Sequence, residues 1–192
     1  MELIKVYDNT IHIDTCNEII ELFENEKKKY KGVTAKGFDV DFKNTTDFSI
    51  NKDDNNWKRY DDILYSALNK YLEIYFQDIL KINNNFSFGR ELDDKGFLIQ
   101  KYIKNTGYFK YHDDFCITIE NDNIFYRKIV FIFYLNDVDT GGETELLDDY
   151  KIKPKAGRLL FFPATWTYPH RGCIPISDNK YIATGWLYEK KS

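Results

Sequence analysis

Cysteine is scarce in this sequence, with three residues (Cys16, Cys116 and Cys173) in a chain of 192. They are far apart, odd in number and without C-x-x-C spacing, which excludes a disulfide framework and a zinc knuckle. Apolar runs are short as well. None approaches the length of a membrane span, and Met1 to Tyr7 carries no signal-peptide core, so a reduced, cytoplasmic protein is expected. Nor is positive charge in excess, because 27 basic side chains face 31 acidic ones, a net charge of −4. That balance disfavours a general grip on nucleic acid, which needs a basic face to neutralise phosphates. Lys151, Lys153, Lys155 and Arg158 form a local basic patch at most, read as a solvated strand edge or loop.

What is abundant is apolar and aromatic, 43% and 17% of residues respectively, enough for a packed core rather than a disordered chain. The length suits one domain that buries about two thirds of its unfolded surface. Thr15-Cys16-Asn17-Glu18 has the form of a capping box, and Cys16, Ile19, Ile20 and Phe23 follow at helical spacing. Lys27 to Lys29 suit the negative end of that helix, with Gly32 as its stop. Residues 37–56 are dense in Asn, Asp, Thr and Lys and read as an irregular excursion, either a surface loop or a lid, with a short strand around 38–42. Trp57 to Leu80 reads as a long amphipathic helix.

From Phe97 onward the pattern switches to short strands, predicted at 97–103, 108–112, 128–136, 143–146, 158–163 and 180–188. Gly141-Gly142 and Pro154 to Gly157 punctuate them. Many short strands without intervening helices predict a mainly β (α+β) sandwich or barrel, buttressed by two N-terminal helices. The expected division is helical support and lid region over 1–96 and a β core over 97–189, together one domain.

Two of the three histidines fall in an informative pattern. His112-Asp113-Asp114 closes a predicted strand, where alternation projects His112 and Asp114 to one side and Asp113 to the other. His170 follows within Tyr168-Pro169-His170-Arg171-Gly172. Two imidazoles and one carboxylate on one side of a metal form the facial triad of non-haem Fe(II) oxygenases, with the other side open for ligands. An H-x-D with a distal histidine is common by chance, so the surroundings must carry the case.

Lys180 begins a β-rich, aromatic stretch in which Lys180, Ile182, Thr184 and Trp186 share a face. Burying such a lysine requires a negative partner, which a dicarboxylic acid would supply. Taken alone, an exposed lysine at a strand edge explains it as well.

Taken together, the motifs resemble the prolyl 4-hydroxylase branch of the 2-oxoglutarate oxygenases. The resemblance runs through Gln100-Lys101-Tyr102, His112-x-Asp114, Arg127 with Phe131 to Asp137, Gly141 to Thr144 and Pro154 to Phe162. It closes on His170, Lys180 ten residues later and Trp186 six beyond that. It implies a double-stranded β-helix (jelly-roll) core and a catalytic iron held by His112, Asp114 and His170. It further implies that Lys180 pairs with the distal carboxylate of 2-oxoglutarate. Tyr102 and Tyr134 fall where the family places co-substrate-binding tyrosines, though core packing explains them equally; Thr144 and Trp186 would line the pocket. The implied cofactors are Fe(II), 2-oxoglutarate and O2, with ascorbate as a candidate reductant. The implied reaction hydroxylates an unactivated C–H, foremost of a prolyl residue in a peptide or protein, and releases succinate and CO2. A free amino acid or small metabolite as substrate, or a non-catalytic jelly-roll binding protein, stays open as an alternative.

Overall fold

A computed structural model of the protein describes residues 2–34, 36–85 and 92–190. In chain order its elements are β1 (Lys5–Tyr7), α1 (Ile13–Asn25), β2 (Tyr30–Lys31), β3 (Lys43–Asn44), β4 (Thr46–Ser49) and α2 (Asn55–Ile82). There follow β5 (Leu92–Asp94), β6 (Leu98–Tyr102), β7 (Tyr108–His112), β8 (Ile117–Glu120), β9 (Asn123–Tyr134) and β10 (Thr144–Leu146). The last four are β11 (Tyr150–Ile152), β12 (Arg158–Pro163), β13 (His170–Gly172) and β14 (Lys180–Lys190).

The strands form two antiparallel sheets. The larger runs β1-β12-β9-β14-β6-β4-β2, with β5 added on β14 and β8 on β9; the smaller runs β11-β10-β13-β7-β3. Period-two alternation along β9 builds two apolar layers from one strand. Phe131 and Phe133 pack with Ile19, Phe23, Trp57, Leu64 and Leu68 of the helices. Val130, Ile132 and Tyr134 pack with Leu146 and Ile152 of the smaller sheet. The order is therefore helices, large sheet, small sheet, as expected of a jelly-roll buttressed on one face. No described helix is long and apolar enough to cross a membrane.

The N-terminal half departs from its sequence reading. Helix α1 begins two residues before Thr15, capped by His12, whose ring nitrogen accepts from the Asp14 N–H at 3.3 Å. Ile11 is anchored in the core and Thr10 is bonded to Gly157, so the chain must turn at once. The helix ends at Asn25, short of Gly32, although the Lys29 ammonium still reaches back to the carbonyls of Phe23 and Glu24 at 2.9 and 2.6 Å. Residues 37–56 are not one irregular loop, and the strand near 38–42 is absent. Instead β3 joins the small sheet through β7, and β4 joins the large sheet through β6. A buried ion pair fixes the corner between them, Lys43 Nζ to Asp47 Oδ2 at 2.7 Å. Polar composition there reflects that pair and solvent-facing positions rather than a lack of structure. The basic patch is neutralised by acids, with Lys155 and Arg158 on Asp8, Lys151 on Glu145 and Lys153 near Asp139.

Candidate metal centre

The site lies between the two sheets. His112 ends β7, His170 opens the neighbouring β13, and the two are register partners across that strand pair. One ligating atom from each of His112, Asp114 and His170 falls within 4.8 Å of the others. His170 Nε2 approaches Asp114 Oδ2 at 3.3 Å, and the two imidazole centroids are 4.2 Å apart.

The local backbone sets the tautomers. His112 Nδ1 donates to the Lys110 carbonyl at 2.7 Å, and His170 Nδ1 donates to the Tyr168 carbonyl at 3.2 Å. A carbonyl can only accept, so each Nε2 is left with its lone pair free for a metal. Burial, aided by the neighbouring His170, pushes the His112 imidazolium down to about 4, so the ring is neutral at ordinary pH. Burial alone would raise Asp114, but the adjoining His170 imidazole, 3.3 Å away, prevails, and the Asp114 carboxyl is held well below the usual carboxylate range. The indole N–H of Trp186 leans on the same carboxylate without completing a hydrogen bond. Two imidazoles whose Nδ1 atoms are engaged by backbone carbonyls, together with one ionised carboxylate, fit a divalent iron.

Beside the triad, Gln100, Tyr102, Thr144, Ile182, Thr184 and Trp186 line a narrow cavity of about 40 Å³. Behind it Lys180 is 1% exposed, and its ammonium sits 4.7 Å from the Tyr102 ring centroid and 5.6 Å from that of Tyr134. Among the described residues no carboxylate pairs with it. Burial pulls this ammonium down to about 8. The Tyr134 hydroxyl donates to Thr144 at 2.7 Å, and the Tyr102 hydroxyl donates to Gln100 at 3.3 Å. Gly172 makes room for Tyr102, because a Cβ there would lie 2.7 Å from the ring.

All eight side chains singled out in the sequence thus converge on one region. Others went unnoticed as site residues. Phe109 stacks on His112 with centroids 3.6 Å apart, against the simple alternation that would turn residues 109 and 112 to opposite faces. The cause is a register shift: three steps along β7 oppose two along β13 between the 112–170 and 109–172 pairs. Arg127, in the sequence a motif position without an assigned role, stacks its guanidinium 3.7 Å over Trp186 and reaches Asp114 at 3.9 Å. Its place three residues before the buried run 130–135 was the available signal.

Comparison with known proteins agrees with this geometry. Residues 97–188 match the family model described as the 2OG-Fe(II) oxygenase superfamily. That segment belongs to this superfamily. No curated protein sequence matches the chain. Among solved structures it resembles a prolyl hydroxylase from Trichoplax adhaerens in complex with a hypoxia-inducible-factor peptide fragment. The two are 18% identical, with TM-score 0.73, over 98% of this chain and 84% of that one. A viral collagen prolyl hydroxylase from Paramecium bursaria Chlorella virus-1, in its 2OG complex, aligns at 16% identity and TM-score 0.66 over 97% and 96%. A Pseudomonas putida prolyl-4-hydroxylase aligns at 18% identity and TM-score 0.65 over 97% and 92%. At these identities the likeness establishes the shared fold, the expected jelly-roll.

Proposed function

We propose that this oxygenase hydroxylates a prolyl residue of a peptide or protein, coupled to conversion of 2-oxoglutarate into succinate and CO2. The observation that carries the reading is a buried, uncompensated ammonium at Lys180 behind a converged His112–Asp114–His170 triad. A lone buried charge is costly, and a dicarboxylic acid whose far carboxylate meets Lys180 removes that cost. The prolyl assignment draws on the three structural relatives, each a prolyl hydroxylase.

In this reading His112 and His170 present their Nε2 lone pairs, and Asp114 its carboxylate, to Fe(II). The bound iron, with O2 and the oxoacid, supplies the oxidising chemistry. Lys180 orients the oxoacid through its distal carboxylate, with Tyr102 and Tyr134 packed around the ammonium. Thr144 and Trp186 wall the pocket, and the apolar side chains Val130, Ile132 and Ile182 keep water out. The whole chain acts as one oxygenase domain, residues 1–96 supporting the core at 97–189.

The test is Fe(II)-dependent succinate formation with a panel of proline-containing peptides and free amino acids, read by mass spectrometry for the gain of one oxygen. A peptide product hydroxylated on proline is the expected result. Turnover confined to free amino acids would replace the substrate class, and normal coupled turnover in His112→Ala or Asp114→Ala would refute the ligand assignment.

A further inference from the structure

The smaller sheet has a second face, turned away from the cavity, and a single carboxylate organises it. Glu145 on β10 is 1% exposed. It accepts from the Tyr111 hydroxyl at 2.5 Å and pairs with Arg171 Nη2 at 2.8 Å, both through Oε1. Its other oxygen takes Lys151 at 3.5 Å and the Cys173 thiol at 3.7 Å. The Arg171 guanidinium also lies over the Tyr111 ring at 4.9 Å.

Two of these partners are chain neighbours of the metal-binding histidines. Tyr111 precedes His112 on β7, and Arg171 follows His170 on β13. By register, Leu146, His170 and His112 form one row across β10, β13 and β7, facing the cavity. Glu145 and Arg171 are register partners in the adjacent row, where Tyr111 joins them on the outer face. The ladder between β7 and β13 pairs the two histidines but gives their spacing little further support. It is short and broken by the register shift, and such shifts loosen the strand pair where they occur.

We propose that Glu145 is a positioning residue for the metal centre, tying Tyr111 to Arg171 so that His112 and His170 stay at ligating separation. The inference rests on the metal reading given above and assigns Glu145 no contact with metal or substrate. Clamping from the outer face suits a site whose inner face must stay open to ligands. Partners beyond the ligands commonly tune affinity for the metal without touching it.

Titration of Co(II) into the metal-free protein, followed by its visible absorption, tests the proposal without recourse to turnover. Glu145→Gln should weaken Co(II) binding by about tenfold or more, and Tyr111→Phe should weaken it in the same direction. Lys151→Met, which removes a Glu145 partner adjoining no histidine, should leave it within about twofold, in the range of outlying surface changes. Leu64→Ala, a core truncation in α2, reports what lost stability alone does and should bind Co(II) normally while folded. Unchanged affinity in Glu145→Gln overturns the proposal, as does an equal loss in Leu64→Ala. Should Glu145→Gln fail to fold, unchanged affinity in Tyr111→Phe overturns it instead. Wild-type protein that binds no Co(II) would overturn the metal reading itself, a failure distinguishable from that of the clamp.

Discussion

Phe109 lies flat against His112, ring planes 17° apart, while Phe42 meets both rings edge-on. On the same phenyl ring the Lys43 ammonium sits 5.1 Å from the centroid. The imidazole is thus held on one side by its Nδ1 hydrogen bond to Lys110 and on its face by an aromatic plane. Such a pair contributes about 1 kcal/mol beyond the area it buries. Phe109→Ala should therefore weaken Co(II) binding to the metal-free protein by roughly fivefold to tenfold, and Phe109→Tyr should preserve it. Isothermal titration calorimetry of both variants checks this, and equal affinities would show that the stack does not orient His112.

Lys180 opposes stability and serves binding. Its ammonium is fully buried, and the downward displacement to about 8 corresponds to a burial cost on the order of 3 kcal/mol. Lys180→Met keeps the length and removes the charge. The variant should be more resistant to urea than the wild type in the absence of ligand. It should also lose 2-oxoglutarate affinity by roughly tenfold to a hundredfold, the worth of a charge-assisted hydrogen bond. Lower stability in Lys180→Met would mean that the ammonium has a compensating partner in the ligand-free protein.

The part of the molecule after residue 97 was legible because its signals are local or strictly periodic. Strands β7 and β12 match their expected ranges, and alternation along β14 puts Lys180, Ile182, Thr184 and Trp186 on one face as anticipated, with Lys180 beside Tyr102 and the other three on the cavity. What escaped notice depends on partners distant in sequence. β3 and β4 are short and polar, and they exist as strands because β7 and β6 offer free edges. The three-residue strands β1, β11 and β13 likewise gain their ladders from neighbours, too short to show a period of their own. The bulge that stacks Phe109 on His112 adds no residue type that marks it. Thr15 and Glu18 do form a capping-box pattern, but the anchored Ile11 starts the helix earlier.

The corner between β3 and β4 gives the N-terminal half its most sensitive point. Lys43 and Asp47 are 3% and 1% exposed, and Gln100, which lines the cavity, donates to the same Asp47 oxygen at 3.4 Å. Asp47 Oδ1 and the Thr45 hydroxyl complete no hydrogen bond, so the corner's buried polar groups are not all satisfied. Asp47→Ala strands a buried ammonium and should cost about 3–5 kcal/mol, seen as a lower urea midpoint. Replacing both residues by Met should recover most of that loss. If Asp47→Ala costs less than about 1 kcal/mol, below the range for a broken buried pair, water must reach Lys43.

Co-substrate binding should depend on pH through Lys180. The ammonium is pushed down to about 8 by burial in the ligand-free protein, and only its charged form pairs with a carboxylate. Binding therefore draws a proton to Lys180 above that value and leaves it unchanged below. The apparent Kd for 2-oxoglutarate should be flat under about pH 7 and rise roughly tenfold between pH 7 and 9, in keeping with single-proton linkage. For folding the sign is the same as for any base depressed by burial. The unfolded chain holds the proton more tightly, so ligand-free stability should increase as pH climbs from about 8 toward 10.5, the unfolded value. Lys180→Met should flatten both profiles. A Kd that stays constant to pH 9 in the wild type would place the oxoacid's distal carboxylate away from Lys180.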